Sequence, residues 1–173
     1  MVNGDIPRIF VGLRASVGSM HALRYAVAEA RRRGGVLHSV HAWTPPGGDA
    51  LDRRLPEPHL HRIWVAAAMQ ELRTAWEDGL GAVPDDLPVR LCVEKGHPGW
   101  VLTRLADRED DLIVVGAGRG GVVRRMLHVS VARFCVARAR CQVLVVPQPP
   151  LARGVHGVLR RRRAMHDLLN DIG

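Results

Sequence analysis

Lysine is almost missing from this chain: of 25 basic residues, Lys95 is the only lysine. The formal charge of +8 would ordinarily point toward nucleic acid. So one-sided a use of arginine reads instead as codon bias in a GC-rich genome. The arginines are also scattered among aspartates and glutamates, which disfavours a nucleic-acid partner. Aromatic residues are scarce, at 4%, so aliphatic side chains must build the core. No apolar run approaches the roughly 18 residues of a membrane span. The start, MVNGDIPRIF, has no basic stretch followed by a long apolar run, so no secretory signal is expected. Cysteine is limited to Cys92, Cys135 and Cys141, with no C-x-x-C. An odd count without a signal suggests reduced thiols in a cytoplasm, most simply as buried, inert side chains.

Familiar catalytic patterns are missing too. There is no H-E-x-x-H, and no serine sits in G-x-S-x-G. His59 and His61 fall on different faces of a helix, and His38 and His41 on opposite faces of a strand, so the nine histidines form no metal set. Asp110 and Asp111 precede a strand and suit the capping of a turn better than acid–base work. No catalytic constellation emerges, and an enzyme is not expected.

What is present is an alternation. The 173 residues, 47% of them hydrophobic, suit one globular domain over residues 1–150 and a separate tail. Strands are predicted over Arg8–Leu13, Gly35–Trp43, Val89–Glu94, Asp111–Gly116 and Gln142–Pro147. Between the first two, Met20, Leu23, Ala26, Val27 and Ala30 recur at helical spacing, with Ser16 or Ser19 as cap and Gly34-Gly35 as stop. Residues 44–58, TPPGGDALDRRLPEP, read as a long loop. A second helix over His59–Leu80 carries Ile63, Ala67, Leu72 and Trp76. Pro98 opens a third, with Trp100, Val101, Leu102 and Leu105, and Ser130–Arg138 is the fourth. This β-α alternation predicts a parallel sheet covered on both faces, with ligands beyond the strands' carboxyl ends.

One stretch at such an end, VVGAGRGGVV at 114–123, fits G-x-G-x-x-G through Gly116, Gly118 and Gly121. The dinucleotide reading fails on context. That fingerprint belongs to the first βα unit and needs an acid about 20 residues on, where this chain has Cys141. No Gly-Lys-Ser/Thr follows, so it is not a P-loop either.

A different match fits. RIFVGLRASVGSMHALRYAVAEARRRGGVLHSVHAW, EKGHPGWVLTRLADREDDLIVVGAGRGG and SVARFCVARARCQVLVVP occur in the order and spacing of the universal stress protein family. The chain resembles that family over about residues 7 to 147. The resemblance implies a cytoplasmic α/β domain with strand order 3-2-1-4-5 and a homodimer formed through the last strand, Gln142 to Val146. Some members bind ATP or another adenine nucleotide, with its associated Mg, and some bind none. Binders look like G-x2-G-x9-G-[ST] after strand four. Here Gly116 and Ser130 keep that pattern, while Arg119 and Val129 replace its second and third glycines. Gly118, Gly120 and Gly121 stand off its register. After strand one, Arg14 stands where binders carry an aspartate facing the ribose. Ala42 occupies the position whose main chain usually meets adenine.

Three readings follow: a regulatory module binding an adenine nucleotide through a degenerate motif, a ligand-free dimerisation module, or a nucleotide hydrolase. RASVGS lacks the aspartate of the S-G-G-x-D-S loop that related hydrolases carry, which lowers the third. Arg119, Arg124 and Arg125 either supply compensating charge or are simply solvated. The tail, 151–173, is basic, with RRRR at 160–163. Leu151, Val155, Val158, Met165, Leu169 and Ile172 lie at heptad spacing, suggesting a short helix.

Overall fold

The computed structural model describes residues 6–14, 16–45, 48, 57–117 and 130–147. The tail and residues 118–129 lie outside them. Five strands form one parallel sheet: β1 (Arg8–Gly12), β2 (Val36–Trp43), β3 (Val89–Lys95), β4 (Leu112–Gly116) and β5 (Gln142–Val146). Their order is β3-β2-β1-β4-β5. The alternation read from the sequence thus folds as expected, with strand ends within one residue of the predicted ones.

Side chains alternate along each strand and feed two cores. Ile9, Val11 and Leu13 face helices α1 (Val17–Arg33) and α2 (Pro58–Leu80). Phe10, Val40, Ile113 and Val115 face α3 (Pro98–Leu105) and α4 (Val131–Arg138). Covering both faces removes nearly every polar position from β1 and β4, and Ile113 and Val114 are fully buried.

The helix ends follow local chemistry. Ser16 caps α1 by accepting the Ser19 N–H at 3.3 Å, and Gly34 closes it at φ 61°, where a side chain would be strained. Pro98 opens α3 behind His97, whose Nδ1 accepts the Gly99 N–H at 3.3 Å. In α1 the predicted apolar stripe, from Met20 to Ala30, is buried as expected. In α2 it is only half right. Ala68, Leu72, Ala75 and Trp76 are buried, but Ile63 is 48% exposed and Ala67 is exposed. The reason is phase: Ile63 and Ala67 lie off the stripe formed by His61, Trp64, Ala68, Leu72 and Ala75, and Trp43 at the end of β2 meets His61 at 5.3 Å and Trp64 at 6.0 Å. Trp100 in α3 is likewise turned outward, with Val101 and Leu102 inward.

Few polar groups are buried, and they are paired. The Trp76 indole N–H donates to Ser39 Oγ at 3.0 Å. Asp111, 1% exposed, accepts the Arg108 N–H at 3.0 Å, which is the turn-capping role expected of it. It also binds the Arg8 guanidinium through Nε at 2.8 Å and Nη2 at 2.6 Å. Burial pushes the Cys135 thiol up to about 11 and raises Cys92 and Cys141 as well, so all three favour the unreactive thiol. His38 and His41 do lie on opposite faces: His38 stacks on Phe10 at 4.6 Å, and His41 faces the other core.

Two tests follow from these pairings. Ser39→Ala strands the buried Trp76 N–H and should lower stability by about 1–3 kcal/mol in urea denaturation; an unchanged midpoint would contradict the pairing. Burial, reinforced by Arg90 and Arg8, holds the His38 imidazole below its ordinary value near 6.5. The unfolded chain therefore takes up this proton more readily than the folded one. The stabilising difference is complete above about pH 6.5 and is lost as pH falls through the lower native value. His38→Phe should flatten the stability profile between about pH 7 and 5, and a parallel profile would exclude His38 as the source.

Candidate functional site

In this strand order the winding reverses between β1 and β4, so the crevice for a ligand opens at their carboxyl ends. Arg14 follows β1 there, Gly116 ends β4, and Ala42 lies near the end of β2. Ser130 stands at the N-terminus of α4. Gly118, Arg119, Gly120, Gly121 and Val129 lie outside the described residues.

The β1–α1 turn is held by two hydroxyls. Ser19 Oγ donates to the Arg14 carbonyl, accepts the Arg14 N–H at 3.3 Å and lies 2.9 Å from Ser16 Oγ. One strand residue earlier, the Leu13 N–H donates to the Val40 carbonyl at 2.9 Å, and the Leu13 carbonyl accepts His41 Nδ1–H at 3.1 Å. The backbone under Arg14 is thus fixed from both sides, while the Arg14 side chain itself is exposed. Arg14 is an exposed guanidinium on a pinned backbone beside the start of α1.

Ala42 follows from strand geometry. Val40 turns its carbonyl to β1, and the Trp43 carbonyl accepts the Gly96 N–H on the β3 side at 2.8 Å. Ala42, two residues beyond Val40, therefore turns its main-chain N–H and C=O to the β1 side. The β1 ladder has ended at Gly12 opposite Val40, so these groups lie above the end of the central strand. Its methyl packs on the α3/α4 core.

Gly116 has a separate reason to be glycine. A Cβ there would stand 2.6 Å from the Gly18 carbonyl oxygen and 2.9 Å from its carbon. The first turn of α1 lies directly on the end of β4, and no side chain fits between two backbones. The next residue, Ala117, donates its N–H to the Val146 carbonyl at 2.8 Å, extending the β4–β5 ladder. At Ser130 the backbone is non-helical, and its hydroxyl makes no capping bond to α4. Among the described residues the hydroxyl has no hydrogen-bond partner, and it stands at a helix N-terminus, where N–H groups point outward.

Arg14, Ala42 and Gly116 are therefore gathered at one edge by the ends of three adjacent strands. What sequence reading missed is the part played by Gly18 and Ser19. The signal available for Ser19 was the spacing of Ser16 and Ser19 just after a strand. For Gly18 there was none, because its close neighbour lies 98 residues away (116 − 18). Chemically the edge offers main-chain N–H and C=O groups, hydroxyls and a guanidinium, which suit an anion with a hydrogen-bonding base. Leu13–Ser19 contains no carboxylate. Among the described residues no group of three or more His, Cys, Asp or Glu could hold a metal ion.

A parallel sheet covered on both faces, with its winding reversed between β1 and β4, defines a class of α/β domain. Within that class, the universal stress protein family matches residues 6–147. The chain belongs to the universal stress protein family. Solved structures share the fold. A universal stress protein in complex with cAMP is 23% identical, with TM-score 0.53 over 83% of this chain and 98% of that one. A hypothetical protein whose biochemical function was assigned from its structure is 17% identical, with TM-score 0.62 over 83% and 96%. A family member from Arabidopsis thaliana with AMP bound is 14% identical, with TM-score 0.52 over 83% and 93%. No curated protein sequence matches the chain. Among the described residues no helix is long and apolar enough to cross a membrane.

The Gly116–Gly18 approach gives a direct test. Gly116→Ala must displace the first turn of α1 from β4, and should lower stability by about 1–3 kcal/mol in thermal or denaturant unfolding. Full wild-type stability would mean that the two backbones are not in contact.

Proposed function

We propose that the chain is a regulatory binding module, not an enzyme, that takes an adenine nucleotide at the carboxyl edge of its sheet. ATP is the reference ligand, with any Mg brought by the nucleotide. The observation that carries this reading is the gathering of Arg14, Ala42 and Gly116 around the end of β1, with Ala42 turning main-chain polar groups toward the space where β1 stops. Those groups suit the polar edge of adenine. The Arg14 guanidinium and the α4 N-terminus at Ser130 suit the phosphates. Gly118, Arg119, Gly120, Gly121 and Val129 are included in the proposed site on the family's glycine pattern alone. The relatives solved with cAMP and AMP lend support by sharing the fold.

Arg14 in place of an acid changes what is recognised: an aspartate would accept from ribose hydroxyls, whereas a guanidinium donates to anions. Calorimetry with ATP, AMP and adenosine tests this. Wild-type protein is expected to bind ATP, Arg14→Ala to weaken it by about tenfold or more, and adenosine to respond little. Val129→Gly should tighten ATP by making room at the helix start. Absence of binding by folded wild-type protein would overturn the reading.

A second reading, a dimerisation module without ligand, is favoured by one observation: the Gly116–Gly18 contact accounts for this glycine without any phosphate. In both readings the working unit is a cytoplasmic homodimer. β5 is an edge strand with Val145 36% exposed, and such edges tend to be paired or covered. Sedimentation should show a dimer at micromolar concentration, and a monomer throughout would remove the dimer from both readings.

A further inference from the structure

A groove of about 310 Å³ lies between α3 and the end of α4, lined by Trp100, Thr103, Arg104, Asp107, Arg138 and Arg140. At one end of it the Trp100 ring lies against Gly96, whose N–H donates to the Trp43 carbonyl at 2.8 Å. At the other end Asp107 is tied at 2.6 Å to Arg8 at the start of β1, and Arg140 precedes β5, so that end borders the amino ends of the strands.

Its charges are not balanced internally. Asp107 is already committed to Arg8, and Arg104 to Glu94 at 2.7 Å. Arg138 and Arg140 have no carboxylate partner among the described residues, and Arg138 rests over the Phe134 ring at 5.7 Å. Both are exposed. Beside them Trp100, 51% exposed, is an aromatic surface that the core does not use. Two unpaired guanidiniums next to an exposed indole call for an occupant with carboxylates and an apolar side chain.

We propose that this groove docks an acidic segment of a partner protein, with carboxylates on Arg138 and Arg140 and an apolar side chain against Trp100. Single-stranded nucleic acid fits less well. The Arg104 guanidinium already lies over the Trp100 ring at 5.0 Å, taking a face that a base would stack on. A continuous phosphate chain would also have to pass Asp107 and Glu94, whereas a peptide can place uncharged residues opposite them.

The test uses the full chain and a fluorescein-labelled nonapeptide of aspartate and glutamate around a central Leu-Phe pair, read by polarisation. Saturable binding is expected. Arg138→Glu with Arg140→Glu should weaken it at least about tenfold, since charge-assisted bonds are lost and repulsion is added. Arg138→Gln with Arg140→Gln, which keeps side-chain size, should weaken it in the same direction, and Trp100→Ala should weaken it separately. Arg62→Glu with Arg73→Glu, on exposed positions of α2, should leave it nearly unchanged. Each variant is compared only where its unfolding midpoint matches wild type. Three results would overturn the proposal: no saturable binding, equal weakening by the α2 pair, or tighter binding of oligouridylate that the groove substitutions abolish.

Discussion

The Asp111 carboxylate is the group around which the sheet is registered. It is almost wholly buried at the amino end of β4, and Arg8, at the amino end of β1, meets it through two nitrogens. Removing Arg8 would strand a buried charge, at a cost of about 3–5 kcal/mol. The same guanidinium reaches Asp107, beyond α3, so one side chain fixes β1, β4 and the end of α3 together. β1 and β4 are the strands between which the winding reverses. Their amino ends are locked by charge, and at the carboxyl end of β4 the first turn of α1 lies on Gly116. The crevice follows from the reversal of winding at the carboxyl ends, and the ion pair holds the opposite ends of the same two strands.

Much of this was legible in the sequence, for physical reasons that can be named. Strands buried on both faces read as unbroken apolar runs, as in LIVVG, and helix ends carry local chemistry such as Ser16 and Gly34. Contacts between distant residues carry no such local mark. Arg8 and Asp111 are 103 positions apart, and nothing in either neighbourhood announces the other. Ile63 and Ala67 misled because apolar residues also stand on the outer side of this helix, and the side that meets the sheet is the one carrying His61, Trp64 and Ala68. Trp100 belongs to the same class: its apolar character suggested core, and its place on the outer side of α3 gave it to the surface.

For the site, sequence supplied the residues and the fold supplied their meaning. Gly116 looked like a phosphate-cradle residue; in three dimensions its missing side chain is already explained by Gly18. Arg14 looked like the loss of a ribose acceptor, yet it stands as a cation on a backbone that Ser19 and His41 hold in place. Weight thus shifts from the glycines toward Arg14 and the main chain of Ala42. Membership of the universal stress protein family fixes the scaffold. The proposed nucleotide recognition rests on how this chain has changed the edge of that scaffold.

That recognition is most directly tested by amide NMR of the full chain titrated with ATP. The account predicts shift changes clustered at Arg14, Gly18 and Ser19, at Ala42 and Trp43, at Gly116 and Ala117, and at Ser130, with the α3–α4 groove unaffected. Saturating ATP that leaves these amides unmoved, or that moves those around Trp100 and Arg138 instead, would contradict it.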